Sequence, residues 1–327
     1  MTQLLEIKNL NIGFETLRGF VEPVQNLNLN LNEGETLGIV GESGSGKSLT
    51  SLAIMGLLPA NAKITSQALK FQNINLTDLN DEELRKLRGL KMAMIFQDPM
   101  TSLNPSFTVG FQIIETLKTH FGGTKEELKN KAIDLLKSVG IPDPQRCLDS
   151  YAYQLSGGMC QRVMIAIAIS CQPQLLIADE PTTALDVTIQ SQILDLIRNL
   201  QFEKKMSLIL ITHDIGVVAE MTDRICVMYA GEIVEAGRTE EVITHPKHPY
   251  TAALLNCLPS RHQKNAFRAK LPSIQGLVPD LSQRPIGCQF SPRCQKASER
   301  CFAEKPIITE MVNQHQFRCF FPIGEIL

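Results

Sequence analysis

The order of apolar and polar residues along the chain predicts strands that alternate with helices. Residues 4–14 and 27–31 alternate apolar with polar side chains, as half-buried strands do. Short unbroken apolar runs predict buried strands at 37–40, 92–96, 175–178, 208–211 and 225–228. Helical patterns separate most of these runs. Strands that alternate with helices favour an α/β fold with a parallel-cored sheet.

Helix signals lie between the predicted strands. Residues 47–58 predict a helix that ends at Pro59. A mostly helical stretch follows at about 108–148. Within it, Thr124 and Glu127 have the spacing of a capping box, which marks the start of a helix.

The pattern changes near residue 245, where the chain becomes rich in Pro, Arg and Cys and loses its periodicity. We place a domain boundary near Pro249. The prediction is a first domain at 1–249, with a helical subdomain at about 100–160, and a small irregular extension at 250–327.

Composition excludes several classes of protein. Hydrophobic residues make up 43% of the chain, so a sizeable core is expected. The net charge is −2 and the isoelectric point is about 6.3, which gives no basic field for nucleic acid. No apolar run approaches the roughly 20 residues that span a bilayer, and residues 1–14 show no signal segment. We therefore expect a cytoplasmic protein whose membrane role would need a separate partner.

A phosphate-binding loop is the first chemical motif. It fits the pattern G-x-x-x-x-G-K-[ST] between a predicted strand and a predicted helix. Backbone N–H groups of such a loop surround phosphate oxygens, the lysine reaches the β- and γ-phosphates, and the serine holds Mg²⁺. The predicted ATP-binding residues here are Gly41, Glu42, Ser43, Gly44, Ser45, Gly46, Lys47, Ser48 and Leu49.

Two carboxylates follow the apolar run at 175–178. A buried strand that ends in acids places them at the carboxyl edge of the sheet, where α/β folds bind ligands. Asp179 is predicted to bind Mg²⁺ and Glu180 to polarise the attacking water.

A third motif resembles the signature sequence of ATP-binding-cassette (ABC) ATPases. It reads Leu-Ser-Gly-Gly-Met-Cys-Gln-Arg at 155–162. A serine and glycines at a helix N-terminus form an anion site. The resemblance implies that Ser156, Gly157, Gly158 and Gln161 contact the ATP bound by a partner cassette. It also implies a P-loop ABC core with an antiparallel β subdomain and a helical subdomain.

Four further residues match the family's order of motifs. The resemblance implies that Phe14 stacks on adenine and that Asp186 lies in the D-loop. Gln97 resembles the glutamine that senses the γ-phosphate and Mg²⁺. His213 resembles the histidine that orients the water. Two positions depart from the family: Cys160 in the signature and the segment at 151–154, where a Pro-His pair is common; both concern helical packing rather than phosphate contacts.

The stretches at 97–105 and 248–251 resemble the oligopeptide, dipeptide and nickel importers, most of all the first ATPase subunit of dipeptide importers. The resemblance implies an ATPase that powers uptake of dipeptides or short oligopeptides from the cytoplasmic face of the bacterial inner membrane. Its partners would be a second, homologous cassette, two permeases and, indirectly, a periplasmic or lipid-anchored peptide-binding protein. Import of nickel or another small solute is the alternative, and a soluble ABC ATPase is less favoured because the chain has one motif set.

Four cysteines crowd the end of the chain, at Cys288, Cys294, Cys301 and Cys319. Four thiolates suit either tetrahedral zinc or an iron–sulfur cluster, although neither zinc-finger nor ferredoxin spacing is present. The family's extension resembles ones that hold a [4Fe–4S] cluster. We therefore expect such a cluster, with zinc or free thiols as the alternatives.

Overall fold

The computed structural model describes residues 2–17, 19–183, 185–258 and 273–324. They form two compact units, each made of several chain segments. The first unit consists chiefly of Asn32–Glu35 and Leu76–Ile211, and the second of Gln3–Leu31, Thr36–Asn75 and Thr212–Leu327. Within the described part of the chain, no helix is long and apolar enough to span a membrane.

The strands and helices are numbered in chain order. The strands are β1 Gln3–Thr16, β2 Gly19–Asn32, β3 Thr36–Val40, β4 Ala62–Thr65, β5 Ala68–Phe71, β6 Ile74–Asn75, β7 Met92–Ile95, β8 Leu175–Asp179, β9 Ser207–Thr212, β10 Arg224–Tyr229, β11 Glu232–Arg238, β12 Thr309–Glu310 and β13 Gln316–Phe317. The helices are α1 Lys47–Met55, α2 Asp81–Leu87, α3 Pro99–Ser102, α4 Val109–Phe121, α5 Lys125–Ser138, α6 Pro144–Asp149, α7 Gly157–Ile169, α8 Val187–Lys204, α9 Ile215–Met221, α10 Thr239–Thr244, α11 Pro249–Asn256 and α12 Glu299–Ala303.

The first unit is built on parallel strands. β7 pairs with β8 and β8 with β9, both in parallel. Every residue of the three strands is buried, which is why their sequences are continuous apolar runs rather than alternating ones. The helices α4, α5, α6 and α7 pack against one another in the same unit. Thr124 and Glu127 form the predicted capping box at the start of α5.

The second unit contains an antiparallel sheet in the order β2-β1-β5-β6, with β4 also paired to β1. Its other strands follow one another from β3, which pairs in parallel with β10. β10 pairs antiparallel with β11, and the short strands β13 and β12 follow at the edge. The unit therefore mixes parallel and antiparallel pairing.

Some predicted boundaries are wrong for local reasons. α1 ends at Met55 and not before Pro59, because Gly56 adopts a left-handed conformation (φ +62°) that closes the helix. β11 carries the fully buried Glu235, so its pattern did not read as an apolar strand. α11 lies in the segment that appeared irregular, because it is only 8 residues long.

Glu235 is the centre of a buried network in the second unit. Its carboxylate accepts hydrogen bonds from the backbone N–H groups of Lys247 at 2.6 Å and His248 at 2.9 Å. Nε2 of His315 lies 2.7 Å from the same carboxylate. Because a buried charge without partners is costly, these contacts fasten residues 247–248 and the chain near β13 to β11.

We expect the protein to lose stability as the pH falls below 6.5, because His248 is buried in its neutral form. Burial lowers the pKa of His248 to about 4, and the Glu235 carboxylate opposes only part of this effect. Between pH 6.5 and 4 the unfolded chain takes up a proton that the folded chain does not. The free energy of unfolding should therefore fall by about 1.4 kcal/mol per pH unit in this window, with no contribution from His248 above it.

Urea unfolding in steps from pH 7 to pH 4.5 measures this slope. His248→Gln should flatten it. His245→Gln is the matched control, since that side chain is 70% exposed and should leave the slope unchanged. An equal slope in wild type and His248→Gln would show that other groups cause the acid sensitivity.

Candidate functional site

The glycine-rich loop at 41–48 joins β3 to α1 in the second unit. Lys47 is the first residue of α1 and is 4% exposed. Its Nζ donates hydrogen bonds to the carbonyl oxygens of Gly41 at 2.8 Å and Glu42 at 3.0 Å. The ammonium group is thus held within the curve of the loop, where the lysine of such a loop meets nucleotide phosphates.

Two glycines of this loop leave no room for a side chain. Gly46 has φ +96°, a left-handed conformation that favours glycine. A Cβ on Gly41 would lie 2.1 Å from the carbonyl oxygen of Met228 in β10. The hydroxyl of Ser45 is buried without a hydrogen-bond partner among the described residues. An unsatisfied buried hydroxyl in a close-packed glycine loop fits a polar ligand such as phosphate.

The acidic pair follows β8 in the first unit. Asp179 is the last residue of β8 and is 4% exposed, and Glu180 comes next and is half-buried. Oε2 of Glu180 accepts hydrogen bonds from Nε2 of Gln97 at 3.1 Å and from the hydroxyl of Thr183 at 2.9 Å. The structure therefore brings together two of the predicted catalytic residues.

The backbone of Glu180 is strained. Its φ is +47°, in the left-handed region that non-glycine residues seldom adopt. Its N–H donates to the carbonyl oxygen of Ile211 in β9 at 2.8 Å, which holds this conformation. Strain of this kind persists where the surroundings impose it, and such positions are frequent at functional sites. Sequence reasoning missed Thr183, although a threonine three residues after the acid was an available signal.

The signature residues lie at the start of α7. Ser156 is the N-cap, and its hydroxyl accepts a hydrogen bond from the N–H of Met159 at 3.3 Å. Gly157 and Gly158 form the first turn, so their backbone N–H groups lie at the positive end of the helix. Gln161 is 1% exposed, and its Nε2 finds no partner in the described part of the chain.

The two departures from the family pattern contact each other. Cys160 is fully buried in α7, and its Sγ lies 3.3 Å from the carbonyl oxygen of Ala152. Burial also raises the pKa of the Cys160 thiol, which favours the neutral form. Cys160 therefore serves packing between α7 and the segment at 151–154.

The remaining predicted residues occupy separate places. Phe14 is half-buried in β1, opposite Ala62 of β4, and Leu49 is half-buried in α1. Asp186 is the N-cap of α8, where its carboxylate accepts a hydrogen bond from the N–H of Ile189. His213 follows β9 directly and is exposed.

Comparison with known proteins identifies the family. A model described as ABC transporter matches residues 24–183, and one described as oligopeptide/dipeptide transporter, C-terminal region matches residues 234–301. The dipeptide transport ATP-binding protein DppD of Haemophilus influenzae is 52% identical over 322 residues, which cover 98% of this chain and 96% of that protein. The chain belongs to the ATP-binding subunits of dipeptide ABC transporters.

Other relatives support the same family. DppD of Bacillus subtilis is 47% identical, and the match covers 98% of this chain and 95% of that protein. Among solved structures, the ATP-binding cassette MJ0796, in a dimeric post-hydrolysis state bound to ADP and Pi, superposes with a TM-score of 0.65 at 32% identity. That match covers 72% of this chain and 99% of the cassette. The predicted ABC cassette fold is confirmed.

The activity follows from this membership. The subunit is an ATPase of an ABC importer, as the phosphate-binding loop and the signature predicted, and it powers peptide uptake, as the stretches at 97–105 and 248–251 predicted. The predicted location, at the cytoplasmic face of the inner membrane, agrees with the family.

The predicted iron–sulfur cluster is wrong. The four tail cysteines line one cavity, but its volume is about 20 Å³, which is close to the space that one water molecule needs. Within 2–17, 19–183, 185–258 and 273–324, no group of three or more Cys, His, Asp or Glu is placed to hold a metal ion. The zinc alternative gains no support from the same finding.

Burial also affects the acidity of three of these thiols. It raises the pKa of the Cys288 and Cys319 thiols to about 11, and it raises that of Cys294 as well. A raised pKa favours the neutral thiol when no metal is bound. None of the four cysteines forms a disulfide among the described residues.

Proposed function

We propose that Glu180 is the general base of ATP hydrolysis in this dipeptide-importer subunit. The observation that supports it most directly is the pair of hydrogen bonds from Gln97 and Thr183 to one carboxylate oxygen. They hold the side chain in one orientation, as a general base that must meet a water molecule requires. The strained backbone of Glu180 further fixes the carboxylate at the end of β8. We assign the orientation of that water to His213.

We also propose roles for the residues that bind nucleotide. In the second unit, Phe14 stacks on adenine, residues 41–49 cradle the phosphates and Lys47 binds the β- and γ-phosphates. The Ser48 hydroxyl, the Asp179 carboxylate and the amide oxygen of Gln97 are oxygen donors of the type Mg²⁺ prefers. Nε2 of Gln97 already donates to Glu180, so its oxygen is the atom suited to the metal. Bound Mg²⁺ would neutralise charge on the phosphates.

The signature residues are proposed to act on a second cassette. The N-terminus of α7 presents a hydroxyl and backbone N–H groups from Ser156, Gly157 and Gly158, the chemistry of an anion site. The solved cassette MJ0796 is described as dimeric. We propose that this subunit pairs with a homologous cassette, with Asp186 of the D-loop near the shared interface. Two permeases and a peptide-binding protein would complete the importer, with dipeptides as cargo.

The proposed domain limits follow the same scheme. The cassette occupies 1–249, with its helical subdomain at about 100–160, and the peptide-importer extension occupies 250–327. The packing of α4 to α7 supports the helical subdomain. The match of the transporter C-terminal model to 234–301 supports a distinct extension.

Ser156→Arg tests the proposed pairing. We expect the isolated chain to hydrolyse ATP poorly and to bind ATP equally well with or without this change. In the transporter reconstituted with its partner cassette, Ser156→Arg should lower phosphate release about 100-fold, because it blocks the anion site offered to the partner's nucleotide.

Ser138→Arg is the matched control, since Ser138 is exposed at the end of α5 in the same unit. It should leave phosphate release unchanged. Full turnover by a strictly monomeric sample, or an unaffected Ser156→Arg transporter, would refute the pairing.

A further inference from the structure

Arg293 lies in the tail between Cys288 and Cys294, yet its side chain is only 5% exposed. It ends the 3₁₀ turn Ser291–Arg293, and Pro at the start of that turn fixes its direction. A buried arginine needs partners for its N–H groups, because an unpaired buried cation is costly. The partners show what this residue does.

The guanidinium of Arg293 forms a two-pronged ion pair with Glu42 of the phosphate-binding loop. One terminal nitrogen lies 2.6 Å from Oε2 of Glu42 and the other 3.0 Å from Oε1. Nε donates to the carbonyl oxygen of Gln275 at 2.9 Å. The remaining donors reach the hydroxyl of Tyr229 at 3.3 Å and the carbonyl oxygen of Ile274 at 3.4 Å. Such fork-to-fork pairing fixes position as well as charge.

The backbone of Glu42 is held from two sides. Its N–H donates to the hydroxyl of Tyr250 at 2.9 Å. Its carbonyl oxygen accepts from Nζ of Lys47 at 3.0 Å and from the N–H of Ser45 at 3.2 Å. Glu42 thus joins the tail directly to the lysine that binds phosphate. Because Tyr250 uses its N–H and Arg293 its carboxylate, Glu42 is suited to positioning the loop that cradles the phosphates.

An aromatic cluster keeps these contacts in place. Tyr250 is fully buried in α11, and its ring meets Tyr229 edge-on at 4.6 Å. Phe290 packs against both tyrosine rings. The Arg293 guanidinium lies 5.7 Å from the centre of the Tyr229 ring. The tail and α11 therefore form a rigid support behind one side of the loop.

We propose that Arg293 and Tyr250 are positioning residues for ATP binding, which tether the phosphate-binding loop through Glu42. Two physical effects act together. The ion pair neutralises a carboxylate that would otherwise repel the phosphates, and the two tethers hold the carbonyl groups that orient Lys47. This inference rests on the proposed role of the loop in ATP binding, and it gives the tail a function in the ATPase itself.

The test is a double-mutant cycle on the purified full-length chain, with the dissociation constant of Mg-ATP measured by a fluorescent analogue. Arg293→Ala should weaken binding about tenfold, because it leaves the Glu42 carboxylate unpaired beside the loop. Glu42→Gln should have a smaller effect. The double variant Arg293→Ala/Glu42→Gln should recover most of the loss, since the repelling charge is gone.

Two conservative variants separate positioning from folding. Tyr250→Phe keeps the buried ring and removes only the hydroxyl that accepts the Glu42 N–H. It should raise KM for ATP about threefold with kcat unchanged in the reconstituted transporter, because one neutral hydrogen bond is lost. Arg293→Lys keeps the positive charge but cannot form the two-pronged ion pair. Its affinity for Mg-ATP should therefore lie between those of wild type and Arg293→Ala.

The outcomes distinguish this inference from the proposed function of the loop. Suppose that Arg293→Ala lowers the melting temperature, and that adding Glu42→Gln to it restores no ATP affinity. Arg293 then has only a structural role, and the inference is refuted. Unchanged affinity in folded Arg293→Ala and Tyr250→Phe refutes it as well. If Lys47→Ala binds ATP like wild type, the failure lies instead in the proposed role of the loop.

Discussion

Glu180→Gln is expected to keep ATP affinity and to abolish nearly all turnover. Glutamine has the size of glutamate and can still meet Gln97 and Thr183, but it cannot accept a proton from the attacking water. Loss of a general base lowers a rate by about 10² to 10⁴. ATP-bound, paired cassettes should then accumulate, because the step that separates them is blocked.

The measurement compares phosphate release by the reconstituted transporter with binding of a fluorescent ATP analogue. Glu203→Gln is the matched control, because Glu203 is exposed in α8 of the same unit. The Glu203→Gln transporter should hydrolyse ATP at the wild-type rate. Wild-type turnover in Glu180→Gln would exclude Glu180 as the base. Loss of binding would show instead that the carboxylate acts on the nucleotide before hydrolysis.

Lys47→Ala is expected to prevent ATP binding and, with it, turnover. Lys47 is 4% exposed and its ammonium is held by two carbonyl groups of its own loop, so the proposed phosphate ligand is oriented without nucleotide. Removal of one partner from a buried, hydrogen-bonded charge pair should weaken Mg-ATP binding about 100-fold or more.

Equilibrium binding and thermal unfolding with and without Mg-ATP check this result. Lys129→Ala, an exposed lysine of α5, is the control and should bind ATP and gain stability from it as wild type does. The Lys47→Ala chain should melt at the same temperature with and without the nucleotide. Stabilisation equal to that of wild type would show that Lys47 does not bind phosphate.

Local pattern was enough for the elements that carry most of the chemistry. The phosphate-binding loop, the strand before it and the helix after it are all local features, and the structure places them at 36–55, with only the end of the helix earlier than expected. The buried strand that ends in Asp179 is likewise readable from four apolar residues followed by two acids. The prediction of the capping box at Thr124 is confirmed, because both of its hydrogen bonds join residues only three positions apart.

The sequence pattern did not predict short strands whose formation depends on residues far away in the chain. β6, β12 and β13 have two residues each, too few for any periodicity, and exist only because partner strands accept their hydrogen bonds. The prediction of a metal cluster at the four tail cysteines was wrong for another reason. The four thiols do line one cavity, but its volume of about 20 Å³ follows from the packing of the tail, which no cysteine spacing encodes.

By itself, the sequence determined the family, the ATPase activity and the residues proposed for phosphate and for the base, since these motifs are short and their backbone context is local. Only the tertiary structure decided that Gln97 and Thr183 share the Glu180 carboxylate, and that Arg293 reaches Glu42 across 251 positions of chain. No local pattern encodes such contacts. They arise because strand pairing and the burial of aromatic rings bring remote segments together, and only then do charges and hydrogen-bonding groups find their partners.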